Sequence, residues 1–151
     1  MRHTGPDNGI RTSGKTQRRG ERVSLHARLR LTTMDGKPIA PLARCIDIGL
    51  GGLRVAAAEG PSPGTRLRLE LRLPSGRIFR SDGEVAWAKT TLHPRLLGTP
   101  TGRDDDACFG IRFTERSTQD LLPVARLLVA REAERRRARH IRRLHGLGIH
   151  P

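Results

Sequence analysis

Val23-Ser24-Leu25-His26-Ala27-Arg28-Leu29-Arg30-Leu31 alternates apolar and polar side chains across its whole length. Successive side chains of an extended chain point to opposite faces, so a period of two predicts a strand with one buried face and one wet face. Leu67, Leu69, Leu71 and Leu73 repeat the pattern against Arg66, Arg68, Glu70 and Arg72. Between these two strands, Met34-Asp35-Gly36-Lys37-Pro38 reads as a turn. Ala43 to Ile48 and Leu53 to Ala57 read as short strands on either side of a glycine-rich bend. Pro74-Ser75-Gly76 closes a hairpin into Arg77 to Arg80. Val85 and Trp87 then point one way and Glu84 and Ala86 the other, and Phe109, Ile111 and Phe113 make the last strand. Closely spaced strands with turn signals favour a small closed sheet, because closure removes unpaired edges.

The pattern changes after Ser117. Leu121, Val124, Ala125 and Leu128 follow helical spacing, giving one stripe that can cover an end of the sheet. Pro123 fits a first turn, which places the helix cap between Ser117 and Asp120. From Arg131 to Arg143 seven arginines face only Glu132 and Glu134, and Glu132 is spaced to pair with Arg136 if the helix continues. The expected organisation is a flexible arm over residues 1–16, one domain over 17–130 that includes the start of the helix, and an Arg-rich helical extension with a frayed tail over 131–151.

A chain of 151 residues has room for one modest core, and with 3% aromatics and no tyrosine that core must be filled by Leu, Val and Ile. The formal charge of +14 points to anionic partners and says nothing about fold. No apolar run approaches the roughly 18 residues of a membrane span. No apolar segment follows the basic N-terminus as in a secretory leader, so a cytoplasmic location is expected. Cys45 and Cys108 fit no metal or redox spacing and are expected as buried thiols.

Chemistry concentrates in two short segments. Gln17-Arg18-Arg19-Gly20-Glu21-Arg22 precedes the first strand, and Asp47-Ile48-Gly49-Leu50-Gly51-Gly52 spans the glycine-rich bend. Arg18, Arg19 and Arg22 offer planar, permanently charged forks that suit phosphate and stack on flat rings. Asp47 offers an acceptor for the N–H edge of a base such as guanine. Gly49, Gly51 and Gly52 permit close approach to the backbone, and they also suit a tight turn or bulge at positive φ.

These residues resemble the PilZ domain family, which carries Arg-x-x-x-Arg just before its first strand and Asp/Asn-x-Ser-x-x-Gly after a later one. Arg18 and Arg22 match the first pair, Arg19 adds an arginine, and Asp47 and Gly52 match the ends of the second segment, while Gly49 replaces the serine. Gly83-Glu84-Val85-Ala86-Trp87 and Cys108-Phe109-Gly110-Ile111-Arg112-Phe113 look like the family's late strands, and the likeness covers roughly residues 17 to 130. The resemblance implies a six-stranded antiparallel barrel with one packed α-helix. It also implies a receptor or adaptor for the bacterial second messenger cyclic di-GMP, held as a ligand with no cofactor.

In that picture Arg18 and Arg22 engage phosphates or stack on guanines, Arg19 adds charge, Asp47 accepts from a guanine edge, and Gly49 to Gly52 line the floor. The missing serine hydroxyl costs roughly 0.5–1.5 kcal/mol, so weakened binding is expected. Trp87 reads as a barrel core residue, and the resemblance makes it alternatively a ligand contact. Ordering of the residues before Val23 around the ligand would alter the surface shown to a downstream protein. Two other readings stay open: a PilZ-fold interaction protein that does not bind cyclic di-GMP, and a basic protein whose Arg131 to Arg143 run binds nucleic acid or another polyanion with steep salt dependence.

Other motifs carry less. Gly9 to Thr16 spells a phosphate-loop pattern, but it lacks the preceding buried strand and following helix that make such a loop work. Asp104, Asp105 and Asp106 read as a solvated loop tip, and the six histidines show no metal spacing. No catalytic set stands out, and no enzyme activity is expected.

Overall fold

The computed structural model describes residues 20–89 and 107–146. Seven strands precede one helix: β1 (Arg22–Thr33), β2 (Pro38–Ile39), β3 (Arg44–Gly49), β4 (Gly52–Ala57), β5 (Arg66–Arg72), β6 (Ile78–Lys89), β7 (Ala107–Phe113) and α1 (Thr118–Gly146). The expected arm over residues 1–16, the phosphate-loop lookalike, Arg18, Arg19, Asp104 to Asp106 and the final five residues lie outside the described residues.

All pairings are antiparallel, and they run β1-β3-β4-β7-β6-β5 and back to β1. Six strands therefore close into a barrel, and β2 is a two-residue appendage on β1. The expected alternation fills it: Val23, Leu25, Leu29 and Leu31 of β1 and Leu67, Leu69 and Leu71 of β5 are all buried. Cys45 and Ile48 of β3, Leu53 and Val55 of β4, and Phe79, Val85, Phe109, Ile111 and Phe113 join them, with Phe79 and Phe113 meeting edge to face at 5.4 Å. Outside, arginines stand opposite acids in cross-strand pairs: Arg80 with Glu70 at 2.9 Å, Arg68 with Asp82 at 3.5 Å, and Arg112 with Glu84 at 3.4 Å.

A bulge decides where Trp87 goes. One extra residue, Ala86, separates the pairs Val85–Ile111 and Trp87–Gly110. The insertion breaks the period of two, so Trp87 leaves the face that Val85 shares with the core. Trp87 is accordingly 41% exposed, which corrects its expected place in the core. Cys45 is buried as expected, but Cys108 is only half-buried, because it alternates with Phe109 onto the outer face of β7.

A reciprocal cap starts α1. The Ser117 hydroxyl accepts from the Asp120 N–H at 3.1 Å, and the Asp120 carboxylate accepts from the Ser117 N–H at 3.1 Å and from its hydroxyl at 2.6 Å. These bonds hold the Asp120 carboxyl below its ordinary pKa, with the Ser117 hydroxyl as the largest cause. Pro123 falls in the second turn rather than the first, so the Gln119 carbonyl loses its usual N–H partner. The helix carries through on its buried stripe: Val124 and Leu128 are buried, Leu121 and Leu127 partly so, against β6, β3 and β1. Beyond Leu128 it continues as one helix to Gly146, mostly exposed.

Candidate functional site

The start of β1 lies against the end of β3, so the two candidate segments meet at one rim of the barrel. Arg22 pairs with Gly49, Val23 with Ile48 and Ser24 with Asp47. The Arg22 guanidinium donates from Nη1 to Asp47 Oδ1 at 3.0 Å. On the other side Asp47 faces Arg54 of β4, whose Nη2 lies 2.8 Å from Asp47 Oδ2. Both carboxylate oxygens thus carry an arginine, and the Asp47 side chain is only 16% exposed.

The glycines work by close approach, not by turn geometry. None of Gly49, Gly51 and Gly52 has a positive φ, which corrects the expected left-handed bend; the described glycines that do are Gly20, Gly36, Gly64 and Gly76. A Cβ on Gly49 would lie 2.8 Å from the Glu21 carbonyl oxygen and 3.1 Å from the Arg22 Cγ. The bare Cα lets the chain ahead of β1 cross here and aims the Arg22 stem at Asp47. A Cβ on Gly52 would overlap the Ile111 carbonyl oxygen, so glycine is required for β4 to approach β7. Gly51 meets nothing closer than Arg116 Nη1 at 4.0 Å. The same Arg116 donates to the Leu50 carbonyl at 2.8 Å and ties the start of α1 to this bend.

Register extends the site sideways. Ser24 stands opposite Asp47, Asp47 opposite Arg54, Arg54 opposite Gly110, and Gly110 opposite Trp87. One outward row therefore crosses β1, β3, β4, β7 and β6. The Trp87 indole lies over the bare Gly110 Cα, where a Cβ would strike its Nε1 edge. Trp87 thus joins Asp47 on the outer surface, three strand spacings or about 14 Å away. Two open grooves of about 460 and 490 Å³ lie elsewhere, on the outer side of β1, β5 and β6, and neither includes Asp47.

A family model of the PilZ domain matches residues 16–130. The chain belongs to the PilZ domain family. Several solved structures share its fold. A structure of the Bacillus subtilis inhibitor of motility (MotI/DgrA) is 18% identical with a TM-score of 0.57, over 78% of this chain and 52% of that one. The Escherichia coli protein YcgR in complex with c-di-GMP is 20% identical with a TM-score of 0.61, over 82% of this chain and 50% of that one. The PilZ domain of YcgR with c-di-GMP, also from Escherichia coli, is 18% identical with a TM-score of 0.61, over 82% of this chain and 98% of that one. This PilZ chain spans about half the length of the first two, and at such identities the likeness concerns the fold. No curated protein matches it.

Of the site residues named from sequence, the PilZ barrel brings Arg22, Asp47, Gly49, Gly51 and Gly52 together at one rim, sets Trp87 on the same outer row, and leaves Arg18 and Arg19 outside the described residues. Sequence reading missed Arg54. Its signal was hairpin arithmetic: a turn at Leu50-Gly51 sets Ile48 opposite Leu53 and Asp47 opposite Arg54. Among the described residues no cluster of His, Cys, Asp and Glu could hold a metal ion, and no helix is long and apolar enough to cross a membrane.

Proposed function

We propose that this PilZ chain is a cyclic di-GMP receptor or adaptor. The observation that carries the reading is the Arg22–Asp47 pair at the rim where the start of β1 meets the end of β3. It sets a phosphate-binding cation beside a base-edge acceptor, which is what a guanine nucleotide with two phosphates requires. The c-di-GMP held by YcgR and by its PilZ domain supports the same ligand class.

In this reading Arg18 and Arg22 engage phosphates or stack on guanines, and Arg19 adds charge. Asp47 accepts from a guanine edge, Gly49, Gly51 and Gly52 form the floor, and Trp87 offers its exposed indole as a stacking surface. The site binds and performs no catalysis, and it acts in the cytoplasm through a downstream protein. Residues 17–130 form the binding unit.

Residues 131–151 are the extension through which a polyanion is met. Helical geometry turns each residue by 100°, so the barrel-facing stripe of Val124 and Leu128 continues into Arg131, Arg135, Arg139 and Arg142. Arg135 Nη1 lies 3.6 Å from Glu21 Oε1, beside Arg22.

The test is a calorimetric titration of cyclic di-GMP into the protein and into Arg22→Ala at physiological salt. Micromolar or tighter binding that is lost in the variant supports a receptor. No binding by the parent favours the interaction-protein reading, and equal binding by both places the ligand elsewhere.

A further inference from the structure

Asp47 meets a base edge with two oxygens that each already carry an arginine. The Watson–Crick edge of guanine presents two N–H donors side by side, which a carboxylate meets with its two oxygens together. Arg22 Nη1 takes Oδ1 at 3.0 Å and Arg54 Nη2 takes Oδ2 at 2.8 Å. Each oxygen keeps a second lone pair, but the Asp47 side chain is only 16% exposed, and a guanidinium that moves aside opens its edge to a guanine. Arg22 has its stem laid across Gly49, at the crossing beside Glu21. Arg54 stands in the middle of β4, 44% exposed, and Asp47 is its one ion-pair partner among the described residues.

Resting on the cyclic di-GMP reading above, we infer that Arg54 contacts the ligand: it covers Asp47 in the free protein and turns onto the nucleotide when the base takes its place. Register supports the second half of that movement. Asp47, Arg54, Gly110 and Trp87 are consecutive positions of one outward row. Any planar group that reaches from Asp47 towards the Trp87 indole passes over β4, where Arg54 is the outward side chain. Gly110 offers no side chain of its own, so Arg54 is the one side chain of that row between Asp47 and Trp87. A planar guanidinium there stacks flat on a base or forks a phosphate oxygen. Its displacement from Asp47 is compensated by a new anionic partner, so the charge is never stranded.

The competing role is a brace that only orients Asp47. The two roles differ in the effect of removing the side chain. Removing a brace weakens binding through a misplaced Asp47 but leaves the salt dependence of binding parental. A contact residue loses a charge-assisted bond.

The experiment titrates cyclic di-GMP calorimetrically into the full chain, Arg54→Ala and Arg54→Lys at two salt concentrations, with thermal melts to establish folding. Arg54→Ala is expected to bind roughly tenfold more weakly or worse. Its affinity is also expected to fall less steeply with salt than the parent's, because one cation has left the site. Arg54→Lys keeps charge without the fork and is expected between the two. Parental salt dependence in Arg54→Ala, at whatever affinity, overturns the inference and leaves the receptor reading standing. No binding by the parent overturns both. If Arg54→Ala does not fold, Arg54→Lys decides alone, and parental affinity in it overturns the inference.

Discussion

The Glu21 carbonyl oxygen lies 2.8 Å from the point where a Cβ on Gly49 would stand. Gly49 occupies the place of the family's serine, and the backbone ahead of β1 has taken up the room. Restoring the serine therefore does not simply return a missing hydroxyl. The new side chain pushes against main chain, and the Arg22 stem at 3.1 Å moves with it.

Gly49→Ser is accordingly expected to lower stability by roughly 1–3 kcal/mol, the usual cost of overpacking. It is also expected to give no gain in cyclic di-GMP affinity, because Arg22 is shifted off Asp47. Thermal melting with a parallel calorimetric titration checks both; a variant with parental Tm and tighter binding would contradict the geometry.

Gly51 and Gly52 are adjacent and should respond unequally. Gly52→Ala drives a methyl into the Ile111 carbonyl where β4 meets β7, and is expected to cost about 3 kcal/mol or more. Gly51→Ala, with only Arg116 Nη1 at 4.0 Å, is expected to stay within about 0.5 kcal/mol of the parent. Denaturant melts of the two variants separate close approach from a generic need for glycine in the bend.

The two cysteines should differ in reactivity. Burial raises the Cys45 thiol from an ordinary 9.0 to about 12, with Asp47 adding to the rise and Arg22 opposing it. Cys108 is half-buried on the outer face. Alkylation of the folded protein at mildly alkaline pH, read by mass spectrometry, is expected to modify Cys108 and spare Cys45. The neutral thiol is favoured by folding, so this contribution is complete below pH 9. It is lost as pH rises towards 12, at about 1 kcal/mol per pH unit. A Cys45→Ala variant should show a shallower alkaline decline.

Truncation after Ala130 tests the arginine stripe. It leaves the buried Val124 and Leu128 in place and removes Arg131, Arg135, Arg139 and Arg142. The truncated protein is expected to hold duplex DNA more weakly and with a flatter dependence on salt than the full chain. Equal weak binding by both would place the anion-binding charge elsewhere.

The barrel was legible because its strands keep a period of two: the leucines of β1 and β5 face inward as their spacing requires. What escaped was what a single residue changes. Ile46 and Ala86 are extra residues in otherwise regular pairings, and no residue type announces a bulge. The second of these carried Trp87 from the expected interior to the outer row. Likewise β2 is too short for any pattern to appear. The glycines of the bend signal freedom in sequence, yet freedom of φ and absence of a Cβ look identical there, and contact with Glu21 and Ile111 decides between them. Asp47 could be named from its motif, whereas Arg54 required the hairpin to be paired.

Trp87 is the single tryptophan, and the chain contains no tyrosine. Its indole sits at the surface over Gly110, in line with Asp47. The chain's near-ultraviolet emission therefore comes from this one face of the barrel, with no second fluorophore to mask it. Whatever settles on that row reports itself through the protein's own light, and no dye need be attached.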